Sequence, residues 1–301
     1  MDAYTHICSL VADFNYLFGV ITHKYPNNYA VLYDKFNSKT ESFDVKQFLL
    51  RFKLINEEVN ELEKAVKDND AIEIIDALCD ILYVVAGAKV YFNFSVDKEI
   101  QQKIENVNDC KFKDKLTEDD LKNITSKLEN EDVKLLLVKI RKYNDSLKEL
   151  TNFFVEQKDK TYNSIFMKSL IKLYNNYLDK IVLNIFKLVN VSKFNFNLIY
   201  QFDIVHNSNM SKVDNSEEDA IKSVDEVKKM MMQVILNEDN TKVGEYFGNE
   251  ILPTQKIVEI QRYEYANYRK IDYNGNFYYV IFDDCSKKIL KSHKYTPAKF
   301  I

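Results

Sequence analysis

Glycine and proline are scarce: the 301 residues include only five and three of them. A chain so poor in turn formers makes few tight reversals and long helices, so the expected class is mainly α. Cysteine is limited to Cys8, Cys79, Cys110 and Cys285, with no C-x-x-C pair and no neighbouring histidine, which excludes a zinc site and points to reduced structural thiols. No long apolar run exists either. The longest, Ile81 to Ala88, falls far short of a bilayer span, and the N-terminus has no basic region followed by an apolar one. A cytoplasmic location without membrane contact is the expectation. Basic charge is not in excess: 42 Lys and Arg against 46 Asp and Glu leave a net charge of -4, with no basic stripe. A nucleic-acid polymer is therefore an unsuitable partner, whereas a free nucleotide arriving with its metal is not.

What is present in strength is acid in apolar surroundings. Leu54, Leu62 and Ala65 define the apolar arc of one predicted helix; Glu58 falls inside that arc and Glu61 at its edge, with Glu57 beside them. In the next segment, Ala71 to Val85, isoleucine, leucine and valine cover most of the circumference, so the helix is expected to be buried. Its acids, Glu73, Asp76 and Asp80, recur at i, i+3 and i+7 and share a stripe roughly 60° wide, which Gly87 continues with room beside it. Acidic pairs at helical spacing are more often a solvated face. That accounts for Glu57 or Glu63 alone but not for Asp76 and Asp80. Unpaired carboxylates in such a place cost several kcal/mol each, so they share a cation or become neutral. Mg²⁺, which takes oxygen ligands and keeps waters and substrate phosphates in its shell, suits them. A di-iron bundle needs Glu-x-x-His pairs, and His6, His23, His206 and His293 all lie outside these helices.

Three stretches organise the chain. Residues 1–96 hold an amphipathic helix over 4–20, a break at Pro26-Asn27-Asn28, and the acidic hairpin, whose turn is Asp68-Asn69-Asp70 with Asp70 and Glu73 at capping-box spacing. Residues 97–212 begin as a charged connector with short helices and continue as helices over about 133–157 and 162–189. Asn56 to Leu62 is similar to Asn144 to Leu150, eighty-eight residues later, which suggests a degenerate internal repeat; chance likeness of two amphipathic helices is the competing reading. In the second copy Ser146 replaces the central Glu, and Lys172 and Asn175 or Asn176 stand where acids are wanted. Residues 213–301 read as a helix over 216–232, an irregular insertion over 236–262, and strands from Tyr268 with an Asn274-Gly275 hairpin turn and a last strand at Lys288 to Lys291.

The run RFKLINEEVNELEKAVKDNDAIEIIDALCDILYVV resembles the active-site hairpin of the all-α nucleoside triphosphate pyrophosphohydrolases, whose signature is E-E-x-x-E followed by E-x-x-D. FDIVHNSNMSK (202–212) and YYVIFDDCSKKILKSHKYTP (278–297) are similar to two elements of the phosphoribosyl-ATP pyrophosphohydrolase-like branch, and Val11 to Val20 resembles its opening F-N-x-x-F-G helix. The likeness does not extend to residues 98–185 or 233–262. It implies a MazG-like helical bundle with a degenerate second half and a small C-terminal antiparallel β-hairpin or meander.

The resemblance further implies that Glu58, Glu61, Glu73 and Asp76 bind Mg²⁺, for which Mn²⁺ can substitute, with Asp80 as an additional ligand or supporting acid. Glu57 then positions or deprotonates the attacking water, and Asn209 and Lys212 reach nucleotide phosphates. The expected reaction splits an NTP or dNTP into monophosphate and pyrophosphate. The alternatives are a non-catalytic nucleotide sensor or assembly protein on the same bundle, and an enzyme for phosphoribosyl-ATP itself. Tyr16, Phe18, Tyr83, Tyr91 and Phe92 could stack on a base, although aromatic residues at helical spacing are more often core. A homo-oligomer, or a pseudo-dimer within one chain, completes the bundle.

Overall fold

A computed structural model describes residues 2–20, 45–107, 113–157, 164–191, 193–194, 196–236, 242–245, 256–273, 275–285 and 288–301. The break expected at Pro26-Asn27-Asn28, Cys110 and Asn274 lie outside them. The described residues form two compact units: residues 1–16, 20–207 and 298–301 make the first, and 17–19 with 208–297 the second.

The first unit is helical. Its elements are α1 (Ala3–Leu17, whose last residue belongs to the second unit), α2 (Val45–Asp68), α3 (Ala71–Phe92), α4 (Lys98–Val107), α5 (Glu118–Ser126), α6 (Glu131–Glu156), α7 (Ser164–Val191) and most of α8 (Leu198–Met210). The turn between α2 and α3 shows how local chemistry sets the hairpin. Asn69 takes a left-handed φ of 55°, and the N–H groups of Asn69 and Asp70 donate to the carbonyls of Val66 and Ala65, a Schellman closure of α2. The Asp70 side chain then accepts from the N–H groups of Ile72 and Glu73, capping α3. The expected capping box is thus only half built. The Asp70 N–H that Glu73 would have accepted from is committed to Ala65.

Two helical hairpins, α2 with α3 and α6 with α7, pack together through α2 against α6 and α3 against α7. Phe48 of α2 meets Phe154 near the far end of α6, while Arg141 of α6 reaches Glu63 near the end of α2, so these helices run antiparallel. Between those contacts the Asn144 amide donates to Asn56 Oδ1 at 2.9 Å. These are the residues that the eighty-eight-residue likeness places in register. Equivalent positions meet where a two-fold axis passes between two copies of one motif. Ile55, Val59 and Leu62 of α2, Ile74, Leu78 and Leu82 of α3, Leu147 of α6 and Ile181 of α7 fill the core between them.

The second unit carries the strands. After β1 (Val213–Asp214) comes α9 (Glu217–Lys228), which packs on a sheet of order β1-β6-β5, with β5 at Ala266–Tyr273 and β6 at Asn276–Asp283. Tyr273 pairs with Asn276, closing a two-residue turn in which Gly275 has φ +80°. Three expectations change here. The helix expected over 216–232 stops at Lys228, and Met231 and Met232 open β2 (Met231–Leu236). The stretch read as an irregular insertion supplies β3 (Lys242–Glu245) and β4 (Lys256–Gln261), which flank β2 in a second antiparallel sheet. Lys288 to Lys291 makes only a single bridge, Ile289 to Phe282, and the third strand beside β6 is β1 instead.

Candidate active site

The α2/α3 hairpin places the predicted acids along facing helices. Glu58, Asp76 and Asp80 are half-buried, whereas Glu57, Glu61 and Glu73 are exposed. Burial, and then the charges of Asp80, Glu61, Glu57 and Asp76, push the Glu58 carboxyl up to about 9. Four of the predicted acids therefore act on a fifth. Glu73 stands three residues before Asp76 and is exposed in the first turn of α3. Asp80 and Asp76 also raise the buried Cys79 thiol, after burial itself, and Asp80 adds to the burial that raises Tyr83.

The space beside Gly87 would admit a methyl group in ordinary van der Waals contact. A side chain there would touch Arg51 Nη1 at 3.7 Å and Val11 at 3.8 Å. Arg51 lies seven residues before Glu58 on α2 and is buried, with its guanidinium 4.7 Å from the centre of the Tyr91 ring. Lys89, the other buried cation of this hairpin, is paired with Asp179 of α7.

Six residues outside the predicted metal and phosphate ligands adjoin the acids. Tyr83 of α3 stacks against Phe202 and His206 of α8 and meets Phe14 of α1 edge-on. Its hydroxyl lies 3.3 Å from His206 Nδ1, and Asp203 Oδ1 lies 2.9 Å from His6 Nε2. Asp203 also acts on Cys79, which links this group to the α3 acids. The signal was in FDIVHNSNMSK, which contains both Asp203 and His206. Tyr83 itself serves as packing, in keeping with the core reading of the aromatic residues.

Burial holds His206 neutral, down to about 4, against partial opposition from Asp203. A histidine whose folded value lies below its unfolded value of about 6.5 contributes stability above that pH and loses it as pH falls toward 4. Replacing His206 by Phe is expected to remove that part of the acid destabilisation, on the order of 3 kcal/mol between pH 6.5 and 4. Chemical denaturation of both proteins across this range measures it; equal pH slopes would contradict it.

Asn209 and Lys212 belong to the second unit and hold one another, with Lys212 Nζ 2.5 Å from Asn209 Oδ1. That bond fixes the amide orientation and leaves the Asn209 NH₂ as a donor.

With this geometry in hand, comparison with known proteins is decisive for family. Residues 29–109, which contain the acidic hairpin, match the model of the phosphoribosyl-ATP pyrophosphohydrolase family. The chain is also 31% identical over 222 residues to a protein of Acanthamoeba polyphaga mimivirus named Uncharacterized protein L479, covering 72% of this chain and 75% of that one. The chain belongs to the phosphoribosyl-ATP pyrophosphohydrolase family, within the MazG-like all-α superfamily. No solved structure matches it. The family assignment carries a pyrophosphohydrolase-type fold, and the acids of α2 and α3 fall inside the matched region. None of the described helices is long and apolar enough to cross a membrane.

Proposed function

We propose that this family member is a Mg²⁺-dependent pyrophosphohydrolase that splits a nucleoside or deoxynucleoside triphosphate into the monophosphate and pyrophosphate. The observation that carries the reading is that Glu57, Glu58, Glu61, Asp76 and Asp80 lie on the packed pair α2 and α3 inside the family-matched residues 29–109, where the charges of the other four act on the half-buried Glu58. An enzyme built to neutralise a polyanion's charge needs such a concentration of oxygen donors around a hard cation.

The donor set fits magnesium by its chemistry, since Glu58, Glu61, Glu73, Asp76 and Asp80 offer carboxylate oxygens alone. Among the described residues no three acids, histidines or cysteines stand gathered as an ion would require. Binding therefore calls for rotation of side chains, which the exposed Glu61 and Glu73 are free to make. The ion would supply charge neutralisation at the phosphates and a lowered pKa for bound water. Glu57, exposed at the edge of the set, would take the proton of the attacking water. The water oxygen bonds to one phosphorus flanking the α–β bridge, and the bridging oxygen leaves on the other product, so pyrophosphate departs without a covalent enzyme intermediate. The Asn209 amide and the Lys212 ammonium would bind phosphate oxygens.

On this reading one chain carries one site. The α6/α7 hairpin completes the bundle as a second subunit would, with Ser146 where α2 has Glu58 and with Asn175 engaged in holding Lys89.

Pyrophosphate release from a panel of standard and modified NTPs and dNTPs tests the reading. Release with Mg²⁺ or Mn²⁺ that stops on chelation is the expected result and names the substrate. No release from any nucleotide, with nucleotide binding intact, would instead favour a non-catalytic sensor.

A further inference from the structure

Of the two buried cations of the α2/α3 hairpin, only one has a counter-charge. Lys89 is paired with Asp179, whereas Arg51, 7% exposed, makes no ion pair or hydrogen bond among the described residues, and its Nε is buried without a partner. Burial lowers the guanidinium below its ordinary value, and the groups that oppose this are the phenols of Tyr91 and Tyr174, not a carboxylate. Such a charge is costly, because a buried cation is ordinarily paired. A second donor stands beside it. Asn15 of α1 is 3% exposed, and its Nδ2 also lacks a hydrogen-bond partner. The two donors meet over Gly87: a methyl group there would lie 3.7 Å from Arg51 Nη1 and 4.0 Å from Asn15 Nδ2, with nothing closer than the former. Three helices of the first unit thus border a methyl-sized recess with two unpartnered donors at its edge.

The recess continues the acid stripe. Gly87 follows Asp80 by seven residues on α3, and Arg51 precedes Glu58 by seven on α2, two turns or about 10 Å along each helix. Val84 and Leu54, at the intermediate turns, are half-exposed while Ile81, Val85 and Ile55 beside them are buried, so solvent contact runs from the acids toward the recess. A phosphate bound at the acids would leave the base of the same nucleotide at a comparable distance. Space for one methyl group is too small for a second phosphate but admits a carbonyl oxygen, whose two lone pairs accept from two donors. We infer that Arg51 and Asn15, over Gly87, bind the exocyclic carbonyl of the substrate's base. The recess then selects oxo bases such as guanine, hypoxanthine and uracil over adenine, which carries an amino group and no carbonyl. That the occupant is a nucleotide rests on the proposed function.

The test is calorimetric titration of dIMP, dUMP and dAMP into the full chain with Mg²⁺, since monophosphates bind without turnover. The wild type is expected to bind dIMP or dUMP about tenfold or more tightly than dAMP, because donors that meet an amino group stay unpaired. Gly87→Ala places a methyl group where the carbonyl goes, at ordinary contact distances, and is expected to erase that preference without lowering the melting temperature. Arg51→Met is expected to erase it too and to melt at or above the wild type, since an unpaired buried charge is exchanged for apolar volume. Binding of dAMP as tight as that of both others, undetectable binding of all three, a preference that survives either substitution, or an Arg51→Met protein that melts below the wild type would overturn the recess. The two readings fail separately. A protein whose preference disappears in Gly87→Ala but which releases pyrophosphate from no nucleotide overturns the proposed function alone; one that releases pyrophosphate with the same base preference in Gly87→Ala overturns the recess alone.

Discussion

Asp76→Asn is expected to lower pyrophosphate release by 10³-fold or more while leaving the melting temperature equal to or above that of the wild type. The size of the loss follows from what a metal-anchored charge does for an anhydride: removing one electrostatic stabiliser commonly costs about 10²–10³ in rate, and an anchor of the ion costs more. The sign of the stability change follows from geometry. Asp76 is half-buried on α3, and its charge opposes ionisation of both Glu58 and Cys79. Replacing a carboxylate by its neutral isostere in a set of like charges relieves repulsion and keeps the volume of the side chain. A variant that melts like the wild type and releases no pyrophosphate separates chemistry from folding. Full turnover by a folded Asp76→Asn protein would remove Asp76 from the proposed site.

How much of this could be read from residues alone varies along the chain, for physical reasons. The α2/α3 hairpin was legible because its periodicity is strong and because acids on the apolar arc of a helix are costly unless a cation or a proton neutralises them. The Asn56 and Asn144 likeness was legible through the same periodicity, and the bond between them adds what a sequence cannot contain, the antiparallel approach of two distant helices. Gly87 shows the limit of a stripe argument. The pattern reveals a missing side chain, while the neighbour that borders the space, Arg51, comes from another helix. The second unit was read less well. Met231 and Met232 continue the apolar spacing of α9, so the change from helix to β2 left no mark in periodicity. Residues 242–245 and 256–261 are short strands with mixed polarity, which resemble loop until β2 is there to pair with them. Asn209 and Lys212 were visible through a motif, but the partner segment containing Tyr295 lies more than eighty residues away and is joined to them only by tertiary hydrogen bonds.

Long-range pairing of a different kind governs stability. Replacing Asp179 by Ala is expected to cost about 3 to 5 kcal/mol, whereas the double replacement Lys89→Met with Asp179→Leu is expected to recover most of that loss. Lys89 of α3 and Asp179 of α7 are each 1% exposed and lie 2.5 Å apart. The ammonium also reaches the side chain of Asn175 and the carbonyl of Ser95, and the Tyr4 hydroxyl donates to the same carboxylate. Burial raises the Asp179 carboxyl above its ordinary value, while Lys89 and Tyr4 pull it back. The charged form is thus sustained by its partners and not by solvent. Removing Asp179 alone strands a buried cation, which is the costly step; removing both charges strands nothing and substitutes apolar volume. Among the described residues Asp179 Oδ2 makes no close hydrogen bond, although the Asp97 backbone N–H also lowers the carboxyl, so the native arrangement is not fully compensated and leaves an apolar pair able to match it. Against a total stability of about 5 to 15 kcal/mol, the single variant is brought close to unfolding at physiological temperature. Urea denaturation of the three proteins measures the difference, and a loss below about 1 kcal/mol for Asp179→Ala would show that water or rearrangement meets the need of Lys89. The consequence reaches the acids, because Lys89 lies on the helix that carries Asp76 and Asp80. The pair that ties α3 to α7 and α1 holds in register the stripe that the proposed chemistry needs.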